Sequence, residues 1–391
     1  MAGPKPAALP LGDTPIRLRK TKSLFYKTLC FLSILLKYNA HKILFFKDFA
    51  VEYLTRVEKA IEAIKNGEMV IVMDDEDREN EGDLVMAGIF STPQKINFMA
   101  SKARGLICVC VPKEIALQLD LPPMVAKNDS NHETAFTVSI DAREAKTGIS
   151  AYERDLTINL MCAPNAKPSD FVRPGHIFPL IAKDGGVLVR TGHTEAGVDL
   201  CKMAGVKPIA VICEIMKEDG TMAARGDRFL SDFSKEHNIK ILYVSDLIAY
   251  RLQNENLLSI TSRENSEFLS SVCEKITLKD HLDREHYAFK FGSPDTPLVR
   301  LHTIRTDFEL LQNAKRFDFL LKCVKKLQKE GGYLVFVNDA STRTDLVKNF
   351  GIGAQILKKL DIREFKLISN NRREFAALGG FDLKILETLT A

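Results

Sequence analysis

The chain has 391 residues, 45% of them hydrophobic, and its 55 basic and 51 acidic residues give a formal net charge of +4. This length exceeds what one hydrophobic core usually serves, so we expect two globular domains. The near balance of charge argues against nucleic-acid binding, which depends on a concentrated basic face.

The cysteines indicate a reducing compartment. They form no C-x-x-C pair and lie mainly in apolar runs, and no zinc-ligand spacing is present. We therefore expect buried, reduced thiols and a cytoplasmic protein. The eight positions are Cys30, Cys108, Cys110, Cys162, Cys201, Cys213, Cys273 and Cys323.

Residues 1–47 form an extension of uncertain character. Its apolar run 24–36 is interrupted by Lys27 and is too short for a transmembrane helix, and no convincing cleavage site follows, so no membrane association is expected. An amphipathic surface helix, a partner-docking segment and sequence upstream of the true start all stay open.

Strands and helices alternate through residues 48–254, which predicts an α/β domain. An amphipathic helix over 51–65 ends at Asn66-Gly67, and Ser150 is the expected cap of a later helix. A Pro-rich connector is expected over 164–179. Strands are predicted at 69–73, 83–90, 105–111, 134–141, 186–190, 209–215 and 240–244, and helices at 93–103, 113–119, 150–161 and 228–236. Residues 245–254 close this domain.

A second, smaller α/β domain is predicted over residues 255–391, after a polar connector at 254–267. Apolar runs and helical spacing give the pattern. Strands are predicted at 296–303, 333–337 and 365–368, and helices at 308–329 and 346–360.

The acidic stretch Asp74–Asp83 directly follows the first predicted strand. So many neighbouring carboxylates repel one another unless a cation or a polyhydroxylated ligand lies among them, which favours a site for a hard cation. A solvated acidic turn is the alternative. A calcium-binding EF-hand is excluded, because counting from Asp77 puts Gly88 where a bidentate glutamate is required.

A second motif, Arg190-Thr191-Gly192-His193-Thr194, lies where a helix is predicted to begin. A glycine at such a turn exposes the N–H groups of a helix N-terminus, and an arginine adds a bidentate donor. This combination is typical of a phosphate site.

The acidic stretch resembles the signature of the 3,4-dihydroxy-2-butanone 4-phosphate synthases, and the resemblance continues to about residue 253 through segments 120–125, 173–180, 190–195 and 213–222. It implies a mixed-sheet domain that converts ribulose 5-phosphate to 3,4-dihydroxy-2-butanone 4-phosphate and formate in riboflavin biosynthesis. It further implies Mg²⁺ or Mn²⁺ as cofactor, and a homodimer with its sites at the subunit interface.

The resemblance also implies roles for individual residues. Glu79 and His193 match the metal ligands, and His176 and Glu214 match the two residues required for turnover, without indicating which of these takes the first proton. Glu81 is a further acid–base candidate, and Asp74, Asp75 and Asp77 are expected either to be structural or to support the metal ligands without binding the ion themselves. The matching substrate-binding residues are Arg78, Glu79, Asp83, Arg190, Thr191, Gly192, His193, Thr194 and Glu214, with Thr147 a weaker contact.

From about residue 297 the chain resembles GTP cyclohydrolase II, through segments 299–302, 350–357 and 368–371. Where that family carries a close pair of zinc-binding cysteines, this chain has residues 316–319, Arg-Phe-Asp-Phe. Cys323 is the nearby thiol, and one thiolate cannot hold a catalytic zinc. We therefore expect no zinc and no cyclohydrolase activity in this domain; a bifunctional enzyme that also opens GTP is the alternative.

Overall fold

The computed structural model describes residues 53–76, 78–338, 346–370 and 383–390, of which 346–350 are described by their backbone alone. The predicted extension 1–47, Asp77 and residues 339–345 lie outside these ranges. From residue 53 onward the chain forms one compact unit.

The first sheet is mixed, as the resemblance implied. Its seven strands lie in the order β4-β5-β3-β6-β2-β1-β7. The pairs β3–β5 and β1–β7 are parallel and the others are antiparallel. The strands are β1 Val70–Met73, β2 Gly82–Ala87, β3 Cys108–Val111, β4 Ile140–Ala142, β5 Phe171–Ile181, β6 Ala210–Glu214 and β7 Lys240–Tyr243.

Helices cover both faces of this sheet. The helices are α1 53–65, α2 Pro93–Phe98 (continued by a π-helical turn Met99–Ala103), α3 Lys113–Gln118, α4 Ala151–Cys162, α5 His193–Met203, α6 Arg228–His237 and α7 Val244–Asn254. One face packs α1, α5 and α7, and the other packs α2, α3, α4 and α6. Because successive strand residues point to opposite faces, Val70 and Val72 join one core while Ile71 and Met73 join the other. This explains why β1 is apolar throughout.

Two helix boundaries confirm the sequence signals. The Ser150 side chain accepts a hydrogen bond from the backbone N–H of Glu153 and so caps α4. The turn after α1 places Gly67 at φ +76°, a conformation that favours glycine.

Three predictions in this domain were wrong or too long. Residues 186–190 form no strand but begin with a 3₁₀ turn, Gly186–Leu188, because the buried Asp199 carboxylate accepts the N–H of Val187. The predicted connector 164–179 contains β5; Pro174 lies where the β4–β5 register shifts, and the carbonyl of Pro179 accepts the N–H of Thr137. The predicted strand 134–141 is reduced to isolated bridges and the start of β4.

The second sheet has seven strands in the order β14-β13-β11-β12-β10-β9-β8. They are β8 Leu258–Phe268, β9 Ser271–Asp280, β10 Glu285–Phe291, β11 Leu298–Thr303, β12 Gly332–Val337, β13 Glu364–Ile368 and β14 Lys384–Leu389, with helices α8 Asp307–Leu311, α9 Ala314–Glu330 and α10 Leu346–Lys359. The prediction of a polar connector at 254–267 was wrong, since β8 occupies it with mostly exposed side chains. The helix predicted at 308–329 is divided, because the Asn313 side chain caps α9.

The two sheets share one hydrophobic core. Leu252 of α7, Leu258 of β8 and Ile356 of α10 are buried in the same cluster. Gly351 brings α10 close to α7, since a Cβ there would lie 2.5 Å from Leu252 Cδ1. The architecture predicted for two α/β domains is confirmed, whereas the boundaries 48–254 and 255–391 stay predictions.

Among the described residues, none of the helices has both the length and the apolar character that crossing a membrane requires.

We predict that Gly197→Ala destabilises the protein. The added Cβ would lie 2.8 Å from the Cβ of Ala210, so α5 must move away from β6. Overpacking of this kind costs about 1–3 kcal/mol, whereas helix propensity alone would stabilise α5 by about 1 kcal/mol. Urea unfolding distinguishes the two, and a rise in the free energy of unfolding would contradict the close packing described here.

Candidate metal and substrate site

The acidic loop after β1 folds around one buried carboxylate. Asp74 accepts hydrogen bonds from the backbone N–H of Glu81 at 2.8 Å and of Glu79 at 3.1 Å, and it binds the Arg78 guanidinium at 2.8 Å. Asn80 adopts φ +57° within this turn. Asp74 therefore shapes the loop, which is the structural role expected for it.

The loop meets the start of α5. His193 is buried, and its Nδ1 atom lies 3.7 Å from Glu79 Oε2 and 3.7 Å from Asp83 Oδ1. Its Nε2 atom lies 3.2 Å from the carbonyl oxygen of Glu81. Within the described ranges, Asp74, Glu79 and His193 form the one group of three potential metal ligands, with donor atoms within 4.8 Å of one another.

The electrostatics of this cluster favour a bound cation. Burial raises the pKa of Glu79, but the His193 hydrogen bond and the Arg78 charge outweigh it and lower that pKa to about 2. Burial raises the pKa of Asp83, and the neighbouring carboxylates Glu214 and Glu79 raise it further. Among the described residues, the buried Asp83 Oδ1 atom has no hydrogen-bond partner. Crowded carboxylates, a buried imidazole and an unsatisfied oxygen fit a divalent cation.

Glu214 lies beside this cluster. It is the register partner of Asp83 in the antiparallel β2–β6 pair, so both side chains emerge on the face that carries α5. Its Oε2 atom accepts the N–H of Leu106 at 2.8 Å. Residue 105 must be glycine, because a Cβ there would lie 2.3 Å from the Glu214 carbonyl oxygen. The backbone of segment 105–106 thus fixes the Glu214 carboxylate on the same face of the sheet as Asp83.

His176 lies farther along the sheet. Asp141 fixes it twice, by accepting its backbone N–H at 2.8 Å and by contacting its Nδ1 atom at 2.8 Å. An ionised carboxylate only accepts, so Nδ1 carries the proton and Nε2 is the free base. β3 separates β5 from β6, which puts His176 roughly 10 Å from Glu214 within one chain. The structure thus brings Glu79, Asp83, His193 and Glu214 together and leaves His176 apart.

Arg190 is held in place by its neighbours. Its guanidinium donates to Glu195 at 2.7 Å, to the Thr134 hydroxyl at 3.0 Å and to the His132 carbonyl at 3.0 and 3.2 Å. Gly192 precedes α5, which begins at His193 as the sequence predicted. These contacts tie segment 132–134 to the start of α5.

A cavity of about 750 Å³ opens beside Glu79. Segment 123–136 forms much of its wall, together with Ile181 and Lys183. Its size suits a small ligand. The acidic loop thus contributes both a potential metal ligand and part of a ligand-sized cavity.

Several of these contacts escaped the sequence reasoning. Asp141 and Glu195 orient His176 and Arg190, and segment 123–136 lines the cavity. Nothing in local spacing distinguishes these residues, since each acts across more than one structural element. The exception is Glu195, which follows Arg190 closely enough to suggest a local pair.

The second sheet carries a different environment at the matching cyclohydrolase positions. His302 is buried on β11, and burial together with the charges of Arg300, Arg316 and Arg305 lowers its pKa to about 4. Residues 316–319 lie in α9, and burial raises the pKa of the Cys323 thiol to about 11. Three guanidinium groups near one imidazole disfavour a second cation.

A mixed α/β sheet with a buried carboxylate–imidazole cluster beside a small cavity is the arrangement of a metal-assisted enzyme. A model of the 3,4-dihydroxy-2-butanone 4-phosphate synthase family matches residues 58–250, and a model of GTP cyclohydrolase II matches residues 327–390. The synthase of Helicobacter hepaticus is 63% identical over 352 residues, 86% of this chain and 99% of that one. The chain therefore belongs to the 3,4-dihydroxy-2-butanone 4-phosphate synthase family, which confirms the predicted resemblance and enzyme class.

Two-domain relatives match both sheets. The riboflavin biosynthesis protein RibBA of Aquifex aeolicus is 44% identical over 85% of this chain and 91% of its own length. The crystal structure of RibBX, a two-domain 3,4-dihydroxy-2-butanone 4-phosphate synthase from A. baumannii, has 39% identity and a TM-score of 0.74, covering 86% of this chain and 99% of that one. Both similarities extend over most of this chain.

We predict that Asp74→Asn lowers the free energy of unfolding by about 2–3 kcal/mol. The side-chain amide would place an N–H donor against backbone N–H donors, and it would remove one of the two carboxylates that pair with Arg78. Asp75→Asn is the matched control. Its carboxylate is partly exposed and lies 3.6 Å from Arg225, so its loss should cost about 1 kcal/mol or less. Equal losses in chemical unfolding would refute the organising role of Asp74.

Proposed function

We propose that this chain converts D-ribulose 5-phosphate to 3,4-dihydroxy-2-butanone 4-phosphate and formate, with a divalent ion held by Glu79 and His193. One observation carries the proposal. Two residues from distant parts of the chain meet at 3.7 Å beside the buried Asp83 carboxylate. Their carboxylate and imidazole donors suit Mg²⁺ or Mn²⁺. Asp74 is assigned to the loop, because its oxygens already accept backbone N–H groups.

The metal ion would contribute charge stabilisation to an enediolate-like anion. The protein contributes proton transfer. Glu214 accepts the Leu106 N–H through Oε2, which leaves its other oxygen for a substrate proton. His176 presents Nε2 as a base, because Asp141 holds its Nδ1 proton. Carboxylates and imidazoles are the groups that most often transfer protons in enzymes.

The remaining side chains would bind the sugar phosphate. We assign the phosphate to the N–H groups at the start of α5, from Gly192 to Thr194, where the helix dipole favours an anion. Arg190 and Thr191 lie next to this turn, and Glu195 already orients the Arg190 guanidinium. Arg78 and Asp83 adjoin Glu79 and would contact the sugar hydroxyls.

We further propose a homodimer whose sites lie at the subunit interface. Tyr152 and Leu156 are exposed on α4, Tyr152 at 71%, and Ile149 is exposed just before this helix. These apolar residues adjoin the segment around Gly148, which packs against Asp141 and His176. A second copy that covered these residues would bring His176 of one chain toward the metal cluster of the other.

We propose that the second domain does not open GTP. After residue 254 the sequence has only Cys273 and Cys323, and arginines surround His302. A reducing compartment such as the cytoplasm stays a prediction, supported by the seven described cysteines, which are free and buried.

The purified chain should release formate from ribulose 5-phosphate, and a chelator should abolish the release reversibly. We predict that Glu79→Gln reduces turnover at least about a hundredfold and weakens Mn²⁺ binding, because it removes a ligand charge. The control is Glu76→Gln at an exposed neighbouring position, and it should leave turnover and Mn²⁺ binding unchanged. A folded wild-type protein that releases no formate would refute the proposed function.

Mixing two inactive variants tests the shared site. If His176 and Glu79 of one site come from different chains, a mixture of His176→Asn and Glu79→Gln proteins, refolded together, contains mixed dimers with one intact site each. We expect about one quarter of wild-type activity, since half of the dimers are mixed. Absence of recovery, with mixed dimers confirmed by mass spectrometry, would place each site within one chain.

A further inference from the structure

A buried ion pair fixes α5 behind His193. Asp199 lies on α5 with 4% of its side chain exposed, and Arg251 of α7 has 11% exposed. Arg251 Nη1 donates to Asp199 Oδ2 at 2.7 Å and to the carbonyl oxygen of Gly185 at 2.8 Å. The same Asp199 oxygen accepts the N–H of Val187 at 2.9 Å. One guanidinium therefore joins α5, which begins at His193, to segment 185–188, which leads to Arg190.

Two glycines make this joint possible. Gly186 has φ +61°, and a Cβ there would lie 2.2 Å from both Asp199 carboxylate oxygens. Gly185 has φ +89°, and a Cβ there would lie 2.9 Å from Leu282 in the turn between β9 and β10. The second sheet thus packs directly against the segment that Arg251 holds.

The other side of Arg251 leads into the second domain. Its Nε and Nη2 atoms donate to the two carboxylate oxygens of Glu255 at 2.7 and 2.9 Å. Gln355 of α10, itself buried, donates to the carbonyls of Leu252 at 2.6 Å and Glu255 at 2.9 Å. Its Oε1 atom accepts the N–H of Leu257 at 3.1 Å. The end of α7 is thus fixed by one amide side chain of the second domain.

We propose that Asp199 and Arg251 are positioning residues for the proposed reaction, through which the second domain sets the placement of His193 and Arg190. This inference rests on the proposed function. Neither residue lines the cavity, so both act through the two segments they join. A buried ion pair adds little net stability over apolar residues of similar volume, so fold stability alone is a weak reason for its presence.

The test uses the full-length protein and two readouts at the site. Mn²⁺ binding is measured without substrate by electron paramagnetic resonance, and KM and kcat are measured by formate release. We expect Arg251→Met and Asp199→Asn each to weaken Mn²⁺ binding and raise KM by about tenfold, the scale of a lost orienting partner. The double variant should match the single variants, because the pair acts as a unit.

Lys207→Met is the matched control. Lys207 is a partly buried cation whose Nζ atom donates to three carbonyls at the end of α4, at 3.1–3.4 Å. Its loss should lower the thermal midpoint while Mn²⁺ affinity and KM stay unchanged. If Arg251→Met fails to fold, Arg251→Lys and the isosteric Gln355→Glu replace it. We expect each of these variants to weaken Mn²⁺ binding and to raise KM by about threefold.

The proposal is overturned if folded Arg251, Asp199 or Gln355 variants keep wild-type Mn²⁺ affinity and KM. It is also overturned if Lys207→Met changes Mn²⁺ affinity and KM as much as those variants do. Failure of the proposed function is recognised separately. In that case wild-type protein releases no formate, while the Mn²⁺ measurements still report whether the ion pair positions His193.

Discussion

The placement of the α5 N-terminus over β2 is the constraint on which the site depends. Gly197 lets α5 approach β6 closely, and His193 at the start of α5 lies 3.7 Å from both Glu79 and Asp83. The acidic loop supplies the other half of the contact, and its shape depends on backbone N–H groups that turn inward to Asp74. A helix start and a loop that are distant in sequence are thereby held within ligand distance. Charge alone would drive the carboxylates apart.

The same face of the sheet carries the two groups to which we assign different roles. Asp83 and Glu214 are cross-strand neighbours, so the proposed metal cluster and the proposed proton-transfer group lie side by side under α5. His176 belongs to a separate pair with Asp141 on the strands beyond β3. Within one chain these groups are distinct, which is the reason for placing the complete site between two chains.

Much of the fold could be predicted from sequence because local signals were strong. The apolar run of β1, the Ser150 cap of α4 and the helical spacing of α10 all gave correct elements. The failures have physical causes. Segment 186–190 has strand-like composition, but Asp199 captures its backbone, and β8 is so exposed that apolar alternation is absent. For the site, the motifs located Glu79, His193 and Glu214, whereas partners such as Asp141 and Arg251 act through tertiary contacts that spacing does not encode.

The core shared by the two sheets has a bearing on how such a chain evolves. Removing the second sheet would expose the apolar side of α7 around Leu252, a surface of the kind that promotes aggregation. Covering α7 would therefore be a reason to retain the second sheet whether or not that sheet performs any chemistry of its own.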